Sequence, residues 1–272
     1  MHILSLLSKK SSGQARSRRT VRASASLLVS LSVWCGMLPG SIARAQTAPP
    51  ELRTLLAEID AAASNRKLKQ LMRFYDNNFT NSDGLNRSSM QRVLKQLWSS
   101  SPQLEYSTEI LSWKEKGEEL ILETVTQITG VREMAGRQMN LNSTIRSRQR
   151  FADGKLVQQD ILAERTQLTS GTNPPTVEMR LPEQVKVNQR YNLDVIVLEP
   201  LGDDLLMGYL IEEPIRPDNH FKPATADLEL ISAGGIFKQG VAPGLSDNRW
   251  VSAVFVRGGG ITMITQRLRI VP

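Results

Sequence analysis

The chain has 272 residues and carries 34 lysines and arginines against 27 acids, a formal charge of +7. Seven of the bases and none of the acids fall in residues 1–45, so the remainder is formally neutral and has no global field with which to draw a phosphate backbone. The lone cysteine, Cys35, and the two histidines, His2 and His220, leave residues 46–272 without the means for a disulfide, a thiolate nucleophile or a multi-histidine metal site.

Residues 1–45 read as a cleavable signal peptide. A basic segment runs to Arg22, and an apolar, Ser-rich stretch from Ala23 to about Leu38 is too short to span a bilayer as a stable helix. Pro39-Gly40 breaks it, and Ala43-Arg44-Ala45 gives the small-x-small pattern before a cut at Gln46. Ser17-Arg18-Arg19-Thr20-Val21-Arg22 resembles a twin-arginine motif only in part, which favours the general secretory route. The expectation is an exported, periplasmic or extracellular protein with no stable membrane span after cleavage.

Three helical patterns follow. Leu52, Leu55, Leu56 and Ile59 share one face; Leu68, Leu71, Met72, Tyr75 and Phe79 repeat it, as do Met90, Val93, Leu94, Leu97 and Trp98. Ser88 or Ser89 is the expected cap of the third helix, after the turn signal Asn81-Ser82-Asp83-Gly84. From Leu104 the period becomes two, which predicts strands over 104–113, 119–130, 139–151 and 155–164, joined at Gly117, Gly136 and Asp153-Gly154. Three helices followed by a four-strand meander imply an α+β domain with the helices on one sheet face.

This order resembles the nuclear-transport-factor-2-like superfamily, including its SnoaL-like branch, over about residues 51–168. The segment 68–79, with its aromatic-Asp-x-x-Phe ending, is similar to that family's second helix, residues 82–98 to its turn and third helix, and Asp153-Gly154-Lys155-Leu156-Val157 to its last hairpin. The resemblance implies a cone-shaped domain with a cavity at its open end, where enzymes such as ketosteroid isomerase and limonene epoxide hydrolase place acids and aromatics. An apolar cavity raises a carboxyl pKa and makes the group a base or a hydrogen-bond donor. Tyr75, Trp98, Tyr106, Trp113 and Glu123 are the candidate ligand-binding residues, with Asp76 beside them; Glu123 is the candidate interior acid if the face it shares with Ile121 and Val125 is the concave one. The alternative is that the aromatics fill a core and Glu123 lies near a sheet edge.

Thr169-Ser170-Gly171-Thr172-Asn173-Pro174-Pro175 reads as a linker, dividing the mature chain into an α+β domain over 46–170 and a second domain over 171–272. Short strands at 176–181, 190–198, 205–211, 226–231, 249–257 and 261–271 predict a β-sandwich. Val251, Ala253 and Phe255 alternate with Trp250, Ser252 and Val254, so both faces of that strand suit burial. Arg146, Arg148 and Arg150 fall on one face of their strand, either an anion-binding strip or a solvated face paired with glutamates. Gly258-Gly259-Gly260 lies between strands and reads as a hairpin connection; Asp203-Asp204 and Glu212-Glu213 lack the loop spacing of a calcium site.

Taken together, these features predict no metal and no cofactor. The favoured reading is an exported, non-catalytic binding protein that holds a small apolar ligand or an envelope protein in the cone domain, with the sandwich as an accessory or docking domain. Alternatives are an acid–base enzyme of isomerase or hydrolase type acting on a small apolar substrate, and a structural adaptor of the envelope. A homodimer through the cone-domain sheet is compatible with each, and no nucleic-acid partner is expected.

Overall fold

A computed structural model describes residues 48–202, 204–220, 227–232 and 234–272. The expected signal peptide and its cleavage site lie outside these residues, as does Asp203. The first half contains helices α1 (Pro50–Ser64), α2 (Leu68–Leu71) and α3 (Arg87–Ser100), with strands β1 (Tyr75–Asn81), β2 (Gln103–Lys116), β3 (Glu119–Met134), β4 (Arg137–Ala152) and β5 (Lys155–Gly171). The second half contains β6 (Val177–Arg180), β7 (Gln184–Lys186), β8 (Arg190–Val197), β9 (Met207–Pro214), β10 (Glu229–Leu230), β11 (Gly235–Val241), β12 (Asp247–Arg257) and β13 (Gly260–Val271). No helix among the described residues is long and apolar enough to cross a membrane.

Local chemistry accounts for several of these boundaries. Pro50 sits in the first turn of α1, where its missing N–H has no partner to lose. α3 opens with a capping box: Asn86 Oδ1 accepts from the Ser89 amide at 2.9 Å, and Ser89 Oγ accepts from the Asn86 amide at 2.8 Å. Asn86 is therefore the cap, and Ser89 closes the box from the third helical position. The β4–β5 turn holds both Asp153 (φ 49°) and Gly154 (φ 69°) in the left-handed region, the geometry that suits a two-residue hairpin.

The second expected helix is largely absent. Only Leu68–Leu71 is α-helical; a 3₁₀ turn follows over Met72–Phe74, and Tyr75–Asn81 becomes strand β1, paired in parallel with β5. A separation of four residues fits one helix face and one strand face alike, so Tyr75 and Phe79 do not decide between them. β1 is also irregular: Tyr75 pairs with Leu156 but Thr80 with Gln158, and within this stretch the Tyr75 and Phe79 rings stand 4.8 Å apart, edge to face.

One large, predominantly antiparallel sheet runs in the order β10-β9-β12-β13-β5-β4-β3-β2, with β1 added beside β5 and β7 beside β13. β5 joins the two halves: its first part, from Leu156 to Gln159, pairs with β1, and its last part, from Arg165 to Gly171, pairs with β13. Residues 169–171 of the expected linker thus continue β5, and the rest lies on the β12–β13 hairpin, where the Asn173 amide donates to the Gly259 carbonyl at 3.0 Å. The sheet is continuous across the expected domain boundary.

Alternation along β12 and β13 buries both faces. Val251, Ala253, Phe255, Ile264, Leu268 and Ile270 share a core with Tyr191, Leu193, Val195 and Met179 of the smaller sheet, whose order is β11-β8-β6. Val254 and Met263 on the other face join the core formed by Ala62, Trp98, Leu104, Ile128 and Leu168 of the first half. A third cluster, of Leu56, Phe79, Leu122, Phe151 and Leu156, closes the far end under α1.

Candidate functional site

Between α1, α3 and the inner face of β2–β5 lies a cavity of about 200 Å³. Leu56, Ile59 and Ala63 of α1, Leu94 and Leu97 of α3, and Ile128 and Ile145 of the sheet form apolar walls. Two polar groupings line it. One rests on β2; the other sits at β13, with β3, β4 and β5 between them in the sheet.

At the β2 side, Asp60 of α1 reaches across to the strand. Its Oδ2 accepts from the Thr108 amide and its Oδ1 from the Thr108 hydroxyl, both at 2.7 Å, and Thr108 Oγ1 lies 3.0 Å from Thr126 Oγ1. Burial raises the Asp60 pKa above its ordinary value, and the two bonds from Thr108 oppose that rise. Next to it, the Tyr106 hydroxyl accepts from the Trp98 indole at 3.1 Å. Burial pushes Tyr106 up to about 12, against the lowering effect of Trp98; burial likewise pushes Tyr75 up to about 12, helped by Tyr106. Both tyrosines are protonated hydrogen-bond donors at neutral pH rather than bases.

At the β13 side, five residues from both halves meet. The turn before α3 supplies Asp83: Asn81 Oδ1 accepts from the amides of Asp83 and Leu85, and Ser82 Oγ accepts from the Ile161 amide of β5, which pins the turn to the sheet. Glu164 comes from β5, Trp250 and Arg267 are direct cross-strand partners on β12 and β13, and His220 ends the 3₁₀ turn Pro217–His220. Arg267 is 1% exposed; its two Nη atoms donate to the two Asp83 oxygens at 2.8 Å each, and Nη2 also reaches Glu164 Oε2 at 3.1 Å. The Trp250 indole donates to the same Glu164 oxygen at 3.0 Å. Burial acts to raise the Glu164 carboxyl; Arg267 and Trp250 counter it and favour the carboxylate. The His220 ring stands edge-on to Trp250 with centroids 4.8 Å apart. Burial lowers the His220 pKa, and Asp83 and Glu164 oppose the shift.

Of the residues singled out from the sequence, Tyr75 and Tyr106 line the cavity, and Trp98 stands behind Tyr106. Trp113 packs with the third core cluster instead. Glu123 lies on the opposite sheet face: Leu122, Thr124, Thr126 and Ile128 point inward, while Glu123 points outward, 3.8 Å from Arg146. Asp76 accepts from the Asn78 amide at 2.8 Å and does not line the cavity. Arg146 and Arg150 form the solvated pairs expected of that face, with Glu183 at 2.8 Å and Glu119 at 3.1 Å. Asp204 pairs with Arg257, and Glu212 accepts from the Tyr191 hydroxyl at 3.0 Å.

Asp60, Asp83, Glu164, His220 and Arg267 were not among the site residues expected from the sequence, where Asp83 read as part of a turn and His220 as a lone histidine. Alternation offered a signal for two of them: Glu164 shares a strand face with Thr166 and Leu168, and Arg267 with Met263 and Thr265. Arg267 and Glu164 lie 103 residues apart, and only the β5–β13 pairing brings them together. Among the described residues no cluster of three His, Cys, Asp or Glu side chains is arranged to hold a metal ion.

Comparison with known proteins gives a family model described as a domain of unknown function (DUF8623), matching residues 172–271. No curated protein matches the chain. Solved structures are similar to about two fifths of it. Bd1075 of Bdellovibrio bacteriovorus is 17% identical with a TM-score of 0.31 over 41% of this chain and 38% of that one, so this chain spans well under half its length. A SnoaL-like protein from Shewanella putrefaciens is 12% identical with a TM-score of 0.32 over 42% of this chain and 90% of that one. A protein with a ketosteroid isomerase-like fold from Catenulispora acidiphila is 11% identical with a TM-score of 0.29 over 42% and 85% of the two chains. The neighbours thus include the SnoaL-like and nuclear-transport-factor-2-like kind that residues 51–168 resemble.

Proposed function

We propose that this protein holds a small, predominantly apolar molecule in the cavity between α1, α3 and β2–β5, without transforming it. The observation that carries this reading is the cavity itself: about 200 Å³ of space with aliphatic walls, bordered by tyrosines that stay protonated at neutral pH. A volume of this size suits a single six-membered ring and its substituent. In the same reading the first half, over 46–170, is an α+β cone, and the second, over 171–272, is a β-sandwich that serves as an accessory or docking domain. The protein acts outside the cytoplasm after loss of residues 1–45, alone or as a homodimer through the cone-domain sheet.

A second reading, acid–base chemistry on the bound molecule, is favoured by the raised carboxyl of Asp60. Against it, both Asp60 oxygens are engaged by Thr108.

Titration of the purified protein with methylcyclohexane, followed by methyl NMR and calorimetry, tests the binding reading. Saturable shifts confined to the cavity leucines and isoleucines are expected, and Ala63→Leu, which fills the space from α1, is expected to abolish them while the protein remains folded. Shifts that never saturate, or that persist in Ala63→Leu, exclude the cavity as the binding site.

A further inference from the structure

We propose that the β13 end of the cavity, formed by Asp83, Glu164, Arg267 and His220, seats a single neutral hydroxyl of an otherwise apolar ligand. This rests on the binding reading above and names the polar group of the ligand.

The His220 side chain is 4% exposed and lines the cavity, yet neither ring nitrogen has a hydrogen-bond partner among the described residues. Its Nε2 stands 3.9 Å from Asp83 Oδ2, outside hydrogen-bond range. Arg267 Nε is buried and without a partner in the same way. Buried polar atoms are rarely left unmatched, because each costs its full desolvation. Three of the four carboxylate oxygens around them already take other donors: both Asp83 oxygens take Arg267, and Glu164 Oε2 takes Arg267 and Trp250.

The unmet capacity selects the ligand group. A neutral imidazole offers one N–H and one lone pair, and Arg267 Nε offers one N–H. A hydroxyl both donates and accepts, so it matches the imidazole lone pair and accepts from an N–H. An ammonium has no lone pair and leaves both N–H groups unmet. A carboxylate accepts from them but meets the like charges of Asp83 and Glu164. Burial, which lowers the His220 pKa, supports the neutral ring that this match requires.

Four probes of similar shape decide the matter: cyclohexanol, methylcyclohexane, cyclohexylamine and cyclohexanecarboxylate, each titrated at pH 7 with cavity methyl and His220 ring resonances observed. Cyclohexanol is expected to bind about tenfold more tightly than any of the other three and to move the His220 ring signals. His220→Phe is expected to bring cyclohexanol and methylcyclohexane to the same affinity as each other, whatever that affinity is in the variant, with a cooperative thermal transition confirming the fold. His220→Gln, which restores a donor and an acceptor, is expected to recover part of the preference. Equal affinities for cyclohexanol and methylcyclohexane, tighter binding of either charged probe, or a preference that survives in His220→Phe overturns the assignment while the binding reading stands. Failure of all four probes to bind overturns both.

Discussion

Two carboxylate settings border one cavity, and they are built in opposite ways. At the β13 side a guanidinium joins Asp83 and Glu164, so charge is met by charge among side chains that are almost fully buried. At the β2 side Asp60 has no cation among the described residues; an amide and a hydroxyl from Thr108 are its partners, and burial raises its pKa. The first arrangement ties the two halves of the chain together, because Asp83 and Glu164 come from one and Arg267 from the other. The second fixes α1 to the sheet and leaves a group whose proton is gained or lost within reach of the cavity. A buried charge held by an opposite charge serves architecture; one held by dipoles keeps its titration.

The contrast predicts unequal costs of substitution. Arg267→Met leaves two carboxylates buried without their cation and is expected to lose about 3–5 kcal/mol in denaturant unfolding. Adding Asp83→Asn and Glu164→Gln to that variant is expected to recover a large share. If Arg267→Met costs no more than an ordinary surface change, the cluster does not hold the halves together.

Asp60→Asn is the milder perturbation. The amide oxygen still accepts from the Thr108 amide, and the Thr108 hydroxyl still has Thr126 within 3.0 Å, so the loss at pH 7 is expected to stay below about 1 kcal/mol. Its effect is clearest in pH dependence. With a folded pKa above the unfolded value near 3.8, the native state keeps the Asp60 proton over a window in which the unfolded chain has lost it. This contribution therefore falls as pH rises through that window and is level above it. Stability of the parent relative to Asp60→Asn is expected to rise on acidification into that window; a difference independent of pH would place Asp60 in an ordinary solvated setting.

The smallest effect is expected outside the cavity. Arg146→Ala on the outer sheet face breaks a pair with Glu183 that is open to solvent, and is expected to change stability by less than about 1 kcal/mol, and less still in high salt. A loss as large as that of Arg267→Met would remove the distinction between the buried and the solvated arginines.

The meander β2–β5 was legible in the sequence because two independent signals coincide there, period-two alternation and turn residues at Gly117, Gly136 and Asp153-Gly154. β1 was not, because Tyr75 and Phe79 satisfy helix and strand spacing equally. Strands β7 and β11 were missed for a related reason: β7 has three residues, and β11 exposes Phe237 and Val241, so neither gives a clean alternation. Tyr75 and Tyr106 were legible as cavity residues. The Asp83–Arg267–Glu164 cluster was not, since its members sit in a turn and on two strands whose pairing joins opposite ends of the chain. His220 read as an isolated histidine because nothing local marks its burial.

Whether the cavity is open and takes an apolar guest is tested most directly by a crystal structure under xenon pressure. Xenon is expected between α1, α3 and β2–β5, in contact with Leu94, Leu97 and Ile128, and absent from the Ala63→Leu variant. Side chains of α1 and α3 closed onto the sheet, with no xenon between them, would contradict it.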